Sequence, residues 1–258
     1  MTDELDYWDA NRDEDLFSLI ETLLDHNKWP TYTNSSVQSS LGQAADEAFQ
    51  RDTFDGYLSY VLISHQVLED YAVLLLREIQ FALRLNVVPE GFGWPTAKYE
   101  MSGVRENAMF GRILQLIENS LEFNQKGEFL NACRKQGKIR NRLAHRLIEG
   151  LSLEQIRDLA HEYKRGEREV INTFNDADDQ FSWFFTMQIL NTRWLDAILE
   201  QINSAPGDAY REKWKTLLHR FYEAFEQEWS MRPDAWQRNN ELAIRRWHET
   251  HRTLTRKG

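Results

Sequence analysis

A single cysteine, Cys133, stands in a chain of 258 residues. One thiol excludes an internal disulfide framework and a thiolate zinc cluster, and it fits a reducing compartment. Proline (5) and glycine (12) are scarce, so few tight turns and sheet connections can be built. That shortage favours long helices joined by short loops. No stretch approaches the roughly 20 apolar residues that a membrane-spanning helix needs, so no membrane association is expected. The N-terminal "MTDELDYWDANRDED" is acidic and lacks the apolar centre of a secretory signal. A cytoplasmic protein is therefore expected. Aromatics at 12% of the chain, including nine Trp, argue against disorder.

The chain is long enough to bury a sizeable core, as one large domain or two smaller ones. Its periodicity is helical almost throughout. Leu16, Leu19, Ile20, Leu23 and Leu24 predict an amphipathic helix over 13–25, and a second helix is expected in the forties. From Thr53 to Leu85 the apolar period runs without a break past Gly56, which predicts one helix of about 50 Å. "NVVPEGFGWPTAKYE" ends it as a loop, and Ser102 caps the next helix, with a face from Val104 to Leu121. Gly127 is expected just before the following helix and Gly150 at its end. Beyond Gly150 the pattern predicts a helix over 152–165, a long one from about Glu167 to Ile202, another over 210–229, and a last one opened by Pro233. No strand alternation, internal repeat or low-complexity segment is seen. The fold class is all-α, with residues 1–150 as a helical core and 151–258 as a Trp-rich helical extension, either a separate domain or part of the same bundle.

Net charge is −10, a poor start for a protein that coats nucleic acid non-specifically. The distribution is more telling. Six Lys or Arg and no acid fall between residues 134 and 146, within "RKQGKIRNRLAHRL", leaving −16 to the rest. A basic island on an acidic body suits a confined site better than an extended surface. On a helix, Ala132, Gln136, Ile139 and Leu147 fall within about 40° of Leu143 and form the core-facing stripe. Arg134, Lys138, Asn141 and His145 fall on the opposite face, while Arg140 sits beside the apolar edge. Such a face is either a solvated cationic surface near a helix C-terminus or a phosphate site. The residue types suit the second: histidine is the side chain best suited to take up and give back a proton, Asn141 lies one turn from His145 to orient it or a ligand, and arginine offers a forked donor for phosphate.

"KIRNRLAH" resembles the signature of the HEPN superfamily (higher eukaryotes and prokaryotes nucleotide-binding domains), an Arg followed after four to six residues by His, often with Asn after the Arg. "YVLISHQVLEDYAVLLLREI" resembles the long second helix of that domain, with Glu69 where many members carry a supporting acid. The wording is also similar to the mannitol operon repressor-like branch. The resemblance covers roughly residues 53–150 and implies an up-and-down helical bundle for that part; the additional long C-terminal helices come from the periodicity alone and match no family. It implies a metal-independent endoribonuclease acting as a homodimer, with Arg140, Asn141 and His145 catalytic and Arg134, Lys138, Arg142 and Arg146 holding RNA phosphates. The expected products are a 2′,3′-cyclic phosphate and a 5′-hydroxyl, and the setting a toxin–antitoxin or phage-defence system with an antitoxin or regulatory protein as further partner. Arg140 and His145 lie about 140° apart on a regular helix, so either the helix is irregular there or a second subunit completes the site.

The alternative is a non-catalytic regulatory, dimerisation or nucleotide-binding module of the same family. No cofactor is implied. His248 and His251 could chelate a metal at i, i+3, but no third ligand is evident in the sequence, so no metal is expected. His65 reads as a hydrogen-bonded core histidine and Cys133 as packing. The aromatic ladder from Phe174 to Trp247 could stack bases, but at helical spacing it reads as core or subunit interface. The six basic residues between Arg238 and Lys257 read as a surface cationic helix.

Overall fold

Asparagine side chains and a few left-handed residues do the punctuating that proline and glycine are too scarce to do. The computed structural model describes residues 16–31, 37–87 and 109–255. Helix α1 covers residues 16–24 and is followed by a 3-10 turn, His26–Lys28. Then come α2 (Val37–Gln50), α3 (Phe54–Val87), α4 (Phe110–Glu118), α5 (Lys126–Glu149), α6 (Leu153–Ile189), α7 (Arg193–Asn203), α8 (Asp208–Ser230), α9 (Asp234–Asn239) and α10 (Glu241–Thr255). No strand occurs among the described residues, and the chain is all-α. The loop expected over 86–100, the Ser102 cap and Val104 lie outside the described residues, apart from the last turn of α3.

Local chemistry explains most boundaries. Asp52 takes a positive φ of 50° between α2 and α3. The Thr53 hydroxyl accepts from the Gly56 amide at 3.2 Å, and a Cβ on Gly56 would stand 2.6 Å from the Ala48 carbonyl oxygen. The Asp52 carboxylate then locks the corner, accepting from the Tyr57 hydroxyl at 2.7 Å and the Arg157 guanidinium at 2.8 Å. These bonds hold the Asp52 carboxyl below the usual carboxylate range. α5 opens at Lys126, behind Gln125 in the left-handed region, so Gly127 lies inside the helix rather than before it. Gly150, at φ 88°, closes α5 as expected. Ser152 and Gln155 form a reciprocal capping box for α6, at 3.2 and 3.0 Å.

Three further expected boundaries differ. Gly166 does not divide 152–165 from 167–202, because α6 runs through it to Ile189. Its missing side chain is used sideways: a Cβ there would come 2.1 Å from Nε2 of Gln136 on α5. That amide is buried and donates to the Tyr163 carbonyl at 3.1 Å. The long helix stops instead at 190–192, where the Asn191 side chain accepts from the Arg193 amide at 3.0 Å. After Pro233 there are two helices, because Asn240 closes α9 by donating its side-chain amide to the Trp236 carbonyl at 2.9 Å. Gly166→Ala is therefore expected to destabilise by about 1–3 kcal/mol, since the buried Gln136 amide loses its partner. In a Gln136→Ala background the same change turns neutral or stabilising by about 0.5–1 kcal/mol, the ordinary helix gain over glycine. A urea-denaturation double-mutant cycle measures the coupling.

The described chain divides into two compact units, and it passes between them inside α3, after Leu83, and inside α6, after Ser182. Residues 151–182 thus fall with α2–α5. In this first unit Tyr57, Tyr60 and Val61 of α3 pack with Ile139 and Leu143 of α5 and with Ile156, Ala160 and Tyr163 of α6. The second unit holds α1, α7–α10 and the end of α6, and buries Trp194, Trp214 and Trp247.

Glu78 of α3 is fully buried in the first unit, with its carboxyl beside that of Asp178 on α6. Burial, with Asp178 nearby, pushes its pKa well above the ordinary 4.5. A raised folded-state value means that the stability of the neutral form is present in full below the unfolded value and is lost as pH rises. Glu78→Gln cannot ionise. Its stability advantage should be smallest near pH 4 and widen upward by as much as about 1.4 kcal/mol per pH unit until the folded group titrates. Parallel denaturant titrations of both proteins from pH 4 to 8 read this out; parallel curves would place the Glu78 carboxyl in contact with water.

Candidate functional site

α5 carries the basic island as one regular helix. Ala132, Gln136, Ile139 and Leu143 are buried, as their spacing predicts, whereas Leu147 is 36% exposed and ends the stripe one turn early. It lies in the last turn of α5, past the layer closed by Leu143 and Ile156. Cys133 is buried beside the stripe, and burial pushes its thiol up, which suits packing and not nucleophilic chemistry.

Lys138, Asn141 and His145 stand exposed on the opposite side, and Arg142 and Arg146 are exposed on the flank between that side and the stripe. With Lys135, Glu162 and Gly166 they line an open groove of about 790 Å³ between α5 and α6. His145 has no hydrogen-bond partner among the described residues. Arg140 is exposed as well but does not line the groove; its guanidinium donates to Asn141 Oδ1 at 3.3 Å. Because α5 is unbroken from Lys126 to Glu149, an irregular helix does not bring Arg140 round to His145.

Acids from the neighbouring helices neutralise part of the island. Arg134 meets Glu118 of α4 at 2.6 Å, while Arg142 meets Glu162 at 2.5 Å and Lys135 meets Glu169 at 3.5 Å, both acids on α6. All six side chains are between two-fifths and two-thirds exposed, so these pairs are weak and open readily for a competing anion. Lys138, Arg140 and Arg146 have no ion pair among the described residues. Arg134, Lys135 and Lys138 also border a second depression of about 340 Å³ with Glu128, Asn131 and Glu169. The wall supplied by Glu162 and Gly166 was not apparent from the motif; its one sequence signal was a glycine in mid-helix with no turn residues around it.

Glu69 belongs to a different cluster. Its carboxylate faces His65 Nε2 at 3.5 Å, and His65 Nδ1 lies 3.2 Å from the Tyr163 hydroxyl. His65 is the hydrogen-bonded core histidine that the sequence suggested. Tyr163 in turn holds Gln136, and His145 lies nine residues farther along α5, about 13 Å of helix rise. Glu69 is thus not brought to Arg140 and His145 within the chain.

The aromatic ladder is core: Phe174, Phe185, Trp194, Trp214 and Trp247 are all buried. Phe184, Trp229 and Trp236 are half-buried, and Trp183 is 55% exposed, with the Arg232 guanidinium 4.7 Å over its ring. The C-terminal basic run is partly paired, Arg245 with Glu241 and Arg246 with Asp196. Among the described residues no three His, Cys, Asp or Glu side chains converge as a metal would require, and no helix is long and apolar enough to cross a membrane. Compared with known proteins, the chain matches no family model, no curated protein and no solved structure.

Proposed function

We propose that the chain is a metal-independent endoribonuclease whose site is completed by a second copy of itself. The observation that carries the reading is the α5 groove, where His145 and Asn141 stand exposed among Lys138, Arg142 and Arg146. The groove is open enough for a strand, and its cations suit phosphate. His145 is free to assist proton transfer as an RNA 2′-hydroxyl attacks the adjacent phosphorus. The phosphorus–oxygen bond to the 5′-carbon side breaks, the departing oxygen gains a proton, and a 2′,3′-cyclic phosphate and 5′-hydroxyl result. Charge builds on the phosphorane oxygens, and a guanidinium placed there stabilises it. Arg140 has the right chemistry but points off the groove of its own chain, so it serves the His145 of a symmetry mate.

A second reading, a non-catalytic regulatory or nucleotide-binding module, is favoured by two other observations. Arg134 and Arg142 already hold acids, and His145 has no neighbour that fixes its tautomer. One experiment separates the two. Labelled mixed-sequence RNA is incubated in EDTA with wild-type protein and with His145→Ala, and both masses are measured in solution. Cyclic-phosphate ends from a dimeric wild type, absent with the variant, support the ribonuclease. Two folded, dimeric and equally inert proteins support the module.

A further inference from the structure

His248 and His251, one turn apart on α10, lack a third ligand in the sequence, but the fold supplies candidates from α8. On that helix His219, Tyr222, Glu223 and Glu226 recur at i, i+3, i+4 and i+7, which places them along one face. Trp247, stacked with Phe221 and Phe225 on a neighbouring face of α8, packs α10 alongside that helix. Three of the seven histidines in the chain thereby meet a phenol and two carboxylates.

The geometry is specific. The Tyr222 hydroxyl lies 2.7 Å from His248 Nδ1 and 3.0 Å from Glu226 Oε1, and those two atoms are 3.4 Å apart. One nitrogen and two oxygens thus form a triangle. Nitrogen and oxygen ligands sit about 2.0–2.2 Å from a first-row ion, which puts neighbouring ligands about 2.8–3.5 Å apart in octahedral or tetrahedral geometry. Two of the triangle's edges, 3.0 and 3.4 Å, already have the length of a coordination edge, and the third, 2.7 Å, has to open by about 0.1 Å. The triangle consists of hydrogen-bonded groups whose shared protons a cation can replace. The His248 and Glu226 side chains are 32% and 44% exposed, so water can complete the shell.

The surroundings fit the same use. The His251 ring stacks on the Tyr222 ring at 3.8 Å, and its Nε2 lies 3.0 Å from His219 Nδ1. His219 Nε2 in turn faces Glu223 at 3.4 Å, the carboxylate–histidine pairing that supports metal ligands.

We infer that Tyr222, Glu226 and His248 form a binding site for a first-row transition-metal ion, with His251 and His219 beside it. Copper(II) heads the affinity order for such nitrogen and oxygen donors and is the probe of choice. The ion ties α10 to α8 and is separate from the α5 groove, so this inference does not depend on the ribonuclease reading.

The test titrates tag-free, full-length protein with copper(II), followed by calorimetry, electron paramagnetic resonance and visible absorption. One equivalent is expected to bind, with a signal from mixed nitrogen and oxygen ligands and a phenolate-to-copper charge-transfer band. His248→Ala and Glu226→Gln are each expected to weaken binding at least tenfold, while His145→Ala, which removes an exposed imidazole elsewhere, leaves it unchanged. Tyr222→Phe keeps the ring on His251 and so preserves the fold by circular dichroism, but abolishes the band. Equal copper affinity in wild type, His248→Ala and Glu226→Gln overturns the site, as does a band that survives Tyr222→Phe.

Discussion

Arg140→Ala and His145→Ala chains are each expected to be inert alone and, on the proposed shared-site reading, to recover about a quarter of wild-type RNA cleavage when mixed in equal amounts and allowed to exchange subunits. Each single change is expected to cost about 10²–10⁴-fold, the range of a positioned proton-transfer group. The recovery follows from where the two side chains point. α5 is one regular helix, His145 lines the groove, and Arg140 does not. If a site takes its histidine from one chain and its arginine from the other, a mixed dimer has one intact site and one doubly defective site. Random exchange makes half the dimers mixed. Cyclic-phosphate ends are counted against time after mixing, with the dimers verified by mass. A mixture that stays inert while subunits demonstrably exchange would show that Arg140 and His145 act within one chain or not at all.

The face of α5 was legible because one uninterrupted helix turns residue spacing directly into direction. Lys138, Asn141 and His145 share a side, and Ile139 and Leu143 share the core, for no reason beyond 3.6 residues per turn. The long run from Phe54 was legible for the same reason. What could not be read is what other helices bring. Glu118 and Glu162 reach Arg134 and Arg142 from 16 and 20 residues away, and no local pattern announces such pairs. Gly166 is the most instructive case. Read locally it is a helix breaker; in the fold it is the gap that admits the Gln136 amide from 30 residues upstream, a distance that periodicity does not cover. The breaks that do occur, at Asn191 and Asn240, each rest on a single side chain satisfying a backbone group, a weak signal beside proline or glycine. The α8–α10 cluster escaped for the reason that Glu162 did. His248 and His251 announce themselves as a pair, but Tyr222 and Glu226 join them only through packing.

Trp247→Ala is expected to be the most destabilising single change in the second unit, at about 3–5 kcal/mol and a fall in Tm on the order of 10 °C. Trp247 is wholly buried, with ring centroids 5.1 Å from both Phe221 and Phe225 and planes 7° and 26° from parallel. Truncation to alanine removes both stacks and leaves a cavity that the surrounding helices fill only in part. Trp247→Phe separates packing from polarity. Phenylalanine keeps a ring between Phe221 and Phe225, and it deletes an indole N–H that has no hydrogen-bond partner in the fold. An unpaired buried donor costs about 1–3 kcal/mol, enough to offset most of the area lost with the smaller ring. Trp247→Phe should therefore lie within about 1 kcal/mol of wild type in urea denaturation. If it instead falls most of the way toward the alanine variant, the indole nitrogen is satisfied by a buried water and the tryptophan is there for its hydrogen bond as much as for its bulk. A near-neutral result assigns the stability of α10 to ring stacking alone, and the copper affinity of that variant should then match wild type, because Tyr222, Glu226 and His248 keep their places.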